Sequence, residues 1–449
     1  MDTITERYAT RSVPRYTSYP TAPHFGPEVT GEVYAGWLRA LPADTELSLY
    51  LHVPFCREMC HYCGCHTKVT HKDAPLYDYA EVLVREIAMI SAMVPGGLPV
   101  SHIHWGGGTP SLLPDRAFRD VVEALQKGFS LADNLEHAIE LDPRTVTPEL
   151  AKTLGDCGIT RASLGVQDFS YDVQQAIGRI QPKENVLDSV AALKANGINA
   201  INLDLMYGLP KQTVDTMRAT AEAAAALQPS RLALFGYAHV PWMKKHQRLI
   251  NEDDLPGVEM RLELATAARD ALKSIGYHAI GLDHFAHNDD SMAIADREGT
   301  LHRNFQGYTT DGADALIGFG VSSIGKLPQG YAQNAPDIGG WKRAVDAGMP
   351  PIVRGKALSE DDRTRAAIIE RLMTVYDVDL AEIATHFHRD PADFHESLEQ
   401  LDELVADGLV DVDGYHVTVR PAGRPYVRVA AAAFDTYFAA NKARHSVAV

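Results

Sequence analysis

Between Leu47 and Ala238 the chain runs through six short segments in which apolar and polar residues alternate, and apolar residues at helical spacing fill the gaps between them. The alternating segments are Leu47–Val53, Val100–Trp105, His137–Asp142, Arg161–Gln167, Ala200–Tyr207 and Arg231–Ala238. The helical stretches are Ala74–Val94, Asp115–Phe129, Pro148–Cys157, Lys183–Asn196 and Thr213–Leu227, with another at Gly257–Ile275 before a late strand, Tyr277–Leu282. Strand and helix repeated in this way predict a parallel sheet with right-handed crossovers. The strand faces choose between an open doubly wound sheet and a curved partial barrel. Leu47, Leu49, Leu51 and Val53 share one face of the first strand, with Tyr50 and His52 on the other. Ile139 and Leu141 oppose Glu140 and Asp142; Leu164 and Val166 oppose Ser163, Gly165 and Gln167; Ile201, Leu203 and Leu205 oppose Asn202 and Asp204. A parallel strand covered on both sides should be apolar on both faces. One polar face in strand after strand predicts an α/β partial barrel with helices outside and a polar, ligand-filled lumen.

The flanks read differently. Residues 1–45 are polar and carry Pro14, Pro20 and Pro23, which predict an extended, non-helical arm strapped over the main domain by its tyrosines. After Pro350 the alternation stops. Ser359 opens a helix through Tyr376 with acidic residues in its first turn, and shorter helices are expected near Leu380–His386 and Pro391–Ala406. A hairpin turning at Asp413-Gly414 and a last helix near Val427–Ala440 complete a winged-helix-like, mainly helical domain. The expected division is an arm over 1–45, a barrel with an extension over 46–350 and a C-terminal domain over 351–449.

Composition narrows the function. At 449 residues, 45% hydrophobic and 22% charged, the chain has globular proportions and room for more than one core. A formal charge of −17 disfavours nucleic acid and anionic membranes as partners. The winged-helix pattern therefore does not imply DNA: residues 359–449 hold 9 Lys/Arg against 17 Asp/Glu, a net −8. No apolar run is long enough to span a membrane, and residues 1–30 have no signal-peptide core, so the expected location is cytoplasmic.

Four of the five cysteines fall within CREMCHYCGC, Cys56 to Cys65, directly after the first strand. Three thiolates at C-x3-C-x2-C spacing can hold three corners of a cubane 4Fe-4S cluster and leave one iron open to a small molecule. A fourth cysteine ligand would have to be Cys157, which lies in a helical stretch and reads as a small buried apolar residue. A zinc site would want a second cysteine clip, and none exists. GGGTP, Gly106 to Pro110, follows the second strand at the same end, where parallel sheets bind ligands. It lacks the lysine and spacing of a phosphate loop and reads as a cradle whose glycines admit S-adenosylmethionine (SAM).

The cysteine spacing resembles that of the radical SAM enzymes. Together with PRYTSYPT, HWGGGTPS, IELDPR, LGVQDF, LDLMYGLPKQT, YAHVP, GLDHFA, LHRNFQGYTT, GFGVSSI and YAQN, it closely resembles one family over nearly the whole chain: the oxygen-independent coproporphyrinogen III dehydrogenases (oxidases) of haem and porphyrin biosynthesis. The resemblance implies a partial (βα)6 radical SAM barrel, a cluster held by Cys56, Cys60 and Cys63, and two SAM molecules at the barrel mouth. It assigns SAM contacts to Tyr50, Tyr62, Gly107, Gly108, Thr109, Glu140, Gln167, Arg179, Asp204, Ala238 and Ile324. Of these, the alternation alone had already turned Tyr50, Glu140, Gln167 and Asp204 toward the lumen. Arg179 can meet a carboxylate with its fork, and Tyr62 can offer its ring to adenine. Cys65 is implied to be needed for activity without binding the cluster. The implied reaction uses a 5′-deoxyadenosyl radical to convert two propionates of coproporphyrinogen III into vinyls, giving protoporphyrinogen IX. A low-potential, flavodoxin-like electron donor and a monomer are implied as well. Arg303 is the leading candidate for the substrate carboxylates, with Arg15, Lys244 and Lys245 behind it. Where the family has Asn after the arginine matching Arg428, this chain has Val429 and an alanine run through Ala433, which puts a substrate contact from that helix in doubt. A haem chaperone on the same barrel, which would lack Cys65, and a radical SAM protein that methylates or opens a tetrapyrrole are the alternatives.

Overall fold

The computed structural model describes residues 3–438. Six parallel strands, β1 (Leu47–Val53), β2 (Pro99–Gly107), β3 (Ser130–Leu141), β4 (Arg161–Gln167), β5 (Ala200–Tyr207) and β6 (Arg231–Gly236), lie side by side in chain order. Their inward and outward residues follow the alternation. Leu47, Leu49, Leu51 and Val53 are fully buried, and Ile201, Leu203 and Leu205 are equally so on β5. Helices cover that side; Asp115–Gly128, for example, buries Ala117, Phe118, Val121, Val122 and Leu125, one stripe at 3.6-residue spacing. The expected partial barrel is present.

The sheet extends beyond the six strands on both sides. After β6 come β7 (His278–Ile280) and β8 (His284–Ala286), with β8 antiparallel to β6 and β7 outside it. The late strand is therefore shorter than expected and not part of a further parallel unit, because only Gly281–Asp283 link it to β8 and a crossover needs a dozen residues or more. On the other side β9 (Ala315–Phe319) runs parallel to β1. Antiparallel β10 (Ile324–Leu327), β11 (Gly330–Asn334) and β12 (Ile352–Ala357) complete an open sheet of twelve strands.

The arm departs from expectation. It contains two α-helices, Thr3–Ala9 and Gly31–Arg39, the second capped by the Thr30 hydroxyl accepting from the Val33 N–H. Its prolines keep only the middle irregular. Its tyrosines divide between two cores: Tyr8, Tyr16 and Tyr19 enter the apolar core of the C-terminal segment, with Ile368, Leu372, Phe394 and Phe434. Tyr34 and Leu38 pack into the barrel core instead. In the C-terminal segment Ser359 and Asp362 form a capping box for Glu360–Val375. The helix expected over Pro391–Ala406 is broken into three short turns, and the hairpin turns at Gly414-Tyr415, one residue late. A third strand, Asp377–Asp379, joins that hairpin. The last helix is Val427–Ala432, shorter than expected: residues 433–438 form turns, and only the end of the expected span lies outside the described residues. Among the described residues no helix is long and apolar enough to cross a membrane.

Candidate active site

The cysteine loop leaves the carboxyl end of β1 and is tied on every side. His61 N–H donates to Ile177 O at 2.9 Å, and Gln247 Nε2 donates to Tyr62 O at 2.9 Å. Lys244 Nζ donates to Cys65 O at 2.9 Å, and His246 Nε2 lies 2.7 Å from Cys63 O. Lys244 thus serves the loop, and neither it nor Lys245 lines the large cavity described below.

Polar hydrogens point at the sulfurs. Thr67 Oγ1 (3.2 Å) and Thr109 Oγ1 (3.6 Å) reach Cys56 Sγ; Arg179 Nη1 (3.5 Å) and Arg144 Nη2 (3.9 Å) reach Cys60 Sγ. A hydrogen bond from Cys65 lowers the Cys63 thiol to about 6. All five cysteines are free thiols. Among the described residues no three His, Cys, Asp or Glu side chains converge as one zinc ion would require. A cubane asks for something else, one thiolate at each of three corners, and these donor-backed thiols fit it.

The two Nη atoms of Arg179, which the resemblance sets against a ligand, are engaged within the protein, while its Nε is buried with no hydrogen-bond partner among the described residues. Nη1 and Nη2 grip Asp142 at 3.2 and 3.1 Å, and Nη2 also donates to Gly165 O at 2.7 Å. Asp142 holds Arg144 as well, at 2.7 Å. Arg179 thus links Cys60 to Asp142. The Arg144 and Arg179 guanidiniums outweigh burial and keep the Asp142 carboxyl below its usual range.

The glycines of GGGTP also make room within the protein itself. A Cβ on Gly107, whose φ is 114°, would sit 2.8 Å from the His52 ring, and one on Gly108 would meet Phe55 O at 2.5 Å. They admit the protein's own strand β1 and cysteine loop. Gly107 N–H donates to Glu140 Oε2 at 3.2 Å, and Thr109 N–H to Phe55 O at 2.7 Å.

Glu140 and Asp204 do share the lumen, a polar cavity of about 160 Å3 lined also by His104 and Ser163 among others, and Tyr50 stacks behind it on His104 at 6.0 Å. His52 Nε2 lies 2.9 Å from the His66 carbonyl, which can only accept, so that nitrogen carries the hydrogen and Nδ1 accepts from Tyr50 Oη at 3.1 Å. The two carboxyls diverge. Burial would raise Glu140, but His104 and the Gly107 N–H bring it below its usual range. Asp204 is pushed up to about 6, chiefly by burial, against hydrogen bonds from Ser163 (2.9 Å) and Asn202 (2.8 Å). Gln167 sits in left-handed backbone at φ 69°, at a register shift between β4 and β5. Such a conformation is costly for a side-chain-bearing residue and recurs at ligand sites. Tyr62 packs beside Val173, Ile177 and Tyr237; Ala238 lies past the end of β6; Ile324 begins β10.

A second cavity, about 470 Å3, adjoins the lumen, with Phe235 and Gln306 lining both. Arg15 and Arg303 line it, as does Ala238. So do Arg261, Arg269 and Arg428, three cations the sequence reading did not place there. Arg261 and Arg269 stand eight residues apart with Leu262, Ala265 and Thr266 on one helix face, a spacing the sequence did carry. Arg428 reaches the cavity, while Val429 turns into the C-terminal core, so the departure at that position leaves the arginine's place intact.

The radical SAM superfamily matches residues 50–224, and the HemN C-terminal domain matches residues 358–426. The oxygen-independent coproporphyrinogen III oxidase of Bradyrhizobium diazoefficiens is 47% identical over 442 residues, 98% of this chain and 98% of its own. That of Escherichia coli K12 is 39% identical over 427 residues, covering 95% of this chain and 93% of its own.

The chain belongs to the oxygen-independent coproporphyrinogen III oxidase family.

A solved member, the coproporphyrinogen III oxidase HemN of E. coli, titled a radical SAM enzyme, superposes with TM-score 0.91 at 37% identity, over 95% of this chain and all of that one. The radical SAM family uses a 4Fe-4S cluster and SAM.

Proposed function

We propose that this member of the family oxidatively decarboxylates two propionates of coproporphyrinogen III to vinyls without oxygen, giving protoporphyrinogen IX. The observation that carries the substrate class is the 470 Å3 cavity, ringed by cations in a chain of charge −17 and contiguous with the polar lumen beside the cysteine loop. Relatives bearing that activity in their names match the chain from end to end. When bound, the cluster and SAM supply one-electron chemistry at the barrel mouth.

The chain's own residues do the rest. Cys56, Cys60 and Cys63 hold the cluster, with Thr67, Thr109 and Arg179 donating to their sulfurs. Glu140, kept ionised, accepts from amine or ribose groups of SAM, and Asp204, nearer neutrality, can both donate and accept. Tyr50 is aimed by His52. Tyr62, Gly107, Gly108, Thr109, Gln167, Ala238 and Ile324 complete the binding of two SAM molecules, and Arg179 serves through Cys60. Cys65 supports turnover without binding iron, and its presence favours the enzyme over a haem chaperone. We assign substrate binding to Arg303, a low-potential flavodoxin-like protein as donor, and a monomeric, cytoplasmic enzyme divided at 45 and 350; two separate apolar cores flank the second boundary.

The test is an anaerobic assay with reductant, SAM and coproporphyrinogen III. Protoporphyrinogen and 5′-deoxyadenosine should appear together with CO2. A methylated or ring-opened product, or haem binding without turnover, would overturn the assignment.

A further inference from the structure

We infer that the large cavity counts carboxylates: Arg261, Arg269 and Arg428 act with Arg15 and Arg303 to retain a ligand bearing three or four carboxylates and to let go of one bearing two. The inference rests on the function proposed above. Five guanidiniums line this cavity and only one acid, Asp283, whose carboxylate is already held by His284 at 2.7 Å. Among the described residues no carboxylate lies within ion-pair distance of Arg15, Arg261, Arg269 or Arg303, although the charges of Arg303 and Arg15 help hold the Asp283 carboxyl below its usual range. Their recorded polar contacts are single carbonyls: Gly236 O for Arg15 (3.4 Å), Leu282 O for Arg269 (3.2 Å) and Arg15 O for Arg303 (3.4 Å). Nε of Arg261 and both Nε and Nη1 of Arg303 are buried with no partner at all. Buried donors left unmade are costly, so an arriving carboxylate gains both charge and the missing acceptors.

The arrangement also bears on the order of events. Each propionate that becomes a vinyl gives up a hydrogen atom, with SAM as the oxidant, loses its carboxyl group as neutral CO2 and passes one electron to a one-electron acceptor, so the ligand sheds one negative charge per round. A tetracarboxylate becomes a tricarboxylate, still anchored for the second round, and then a dicarboxylate that has lost two anchors. Two charge-assisted hydrogen bonds correspond to roughly a hundredfold in affinity. Aromatic walls such as Tyr207, Phe235 and Phe305 hold the macrocycle equally in all three, so charge is what distinguishes substrate from product.

The probes are coproporphyrin III, with four carboxylates, and mesoporphyrin IX, with two, titrated into the holoenzyme and followed by porphyrin absorbance; neither is turned over. Coproporphyrin should bind at least about tenfold tighter at low salt, and the advantage should shrink at about 0.5 M salt. Arg261→Met and Arg269→Met should each weaken coproporphyrin about tenfold and leave mesoporphyrin within about twofold, with Arg261→Lys recovering part of the loss. Equal or tighter mesoporphyrin binding by the wild type, or coproporphyrin affinity unmoved in both correctly folded variants, overturns the inference. A protein with the preference but no protoporphyrinogen production would refute the proposed function and leave the carboxylate site standing; turnover without the preference would do the reverse.

Discussion

Replacing Asp142 by Asn tests the arrangement that backs Cys60. The carboxylate takes both nitrogens of the Arg179 fork at 3.1 and 3.2 Å and the Arg144 guanidinium at 2.7 Å. The three side chains are 12%, 8% and 16% exposed, so water does little to screen them. Asn keeps one acceptor oxygen but turns an amide donor toward guanidinium donors, and two cations remain without their shared counter-charge. Breaking a buried pair costs about 3–5 kcal/mol, and since Glu58 still holds Arg144 at 2.9 Å we expect the low end, about 3 kcal/mol. Urea unfolding of the metal-free protein, followed by tryptophan emission, reads this as a lower midpoint. Asp142→Asn with Arg179→Met should lose less than the two single variants summed, because the uncompensated charge goes with the arginine. The carboxyl is held below its usual value, so its contribution is present above about pH 3.8 and fades as pH falls below that; the gap to the variant should close in acid. A variant within about 0.5 kcal/mol of wild type at neutral pH, or strict additivity, would refute the reasoning.

Glu86 is buried under Gly320 N–H, Trp341 Nε1 and Asn334 Nδ2 at 2.7–2.9 Å, and burial pushes its carboxyl up to about 7 from 4.5. A raised carboxyl favours the fold below the unfolded value and loses that advantage as pH rises, so about 3 kcal/mol should disappear between pH 4.5 and 7, and Glu86→Gln should flatten that slope; parallel stability curves would refute it. Gly107→Ala forces a Cβ within 2.8 Å of His52 at φ 114°, and should cost about 1–3 kcal/mol and weaken SAM binding, read by equilibrium dialysis; unchanged affinity counts against the GGGTP assignment. Iron and acid-labile sulfide should be lost from Cys56→Ala, Cys60→Ala and Cys63→Ala but kept by Cys65→Ala, whose defect should show only in turnover.

What was legible in the chain is what repeats locally. Period-two alternation gave β1, β4 and β5 their observed bounds, and it placed Asp204 on β5 and Glu140 on β3 in the lining of the lumen. It could not give β9 to β12. The β9 segment Ala315–Phe319 is apolar without alternation, and the strands after it are short and glycine-bearing. Nor could spacing reveal that Nη1 and Nη2 of Arg179 hold Asp142, 37 residues away, or that the GGGTP glycines make room for His52 and Phe55. Those are tertiary contacts, and a motif names the residues of such a contact without naming its partner. The arm was misread for a related reason: its prolines were visible, but the apolar core receiving Tyr8, Tyr16 and Tyr19 lies some 350 residues downstream.

That distant docking has a consequence for the cavity. Arg15 is flanked by Val13, buried at 2% exposure with its carbonyl facing Arg428 Nη1 at 3.5 Å, and by Tyr16, buried at 4% with its hydroxyl donating to Asp435 at 3.0 Å. Tyr16 holds a left-handed backbone at φ 47°, a conformation a tyrosine adopts only where its surroundings impose it. The C-terminal core therefore aims Arg15 into a cavity walled by the barrel and by Pro425 and Arg428 of the C-terminal segment. Tyr16→Leu should release that aim without touching the guanidinium, so coproporphyrin affinity should fall about as far as in Arg15→Met, roughly tenfold, and the double variant should be no worse than either. Tyr8→Leu, in the same core but with its own hydroxyl on Asp407, controls for general loosening and should leave affinity near wild type. If Tyr16→Leu and Arg15→Met add independently, the arm does not position Arg15 and the C-terminal core has no part in shaping the site.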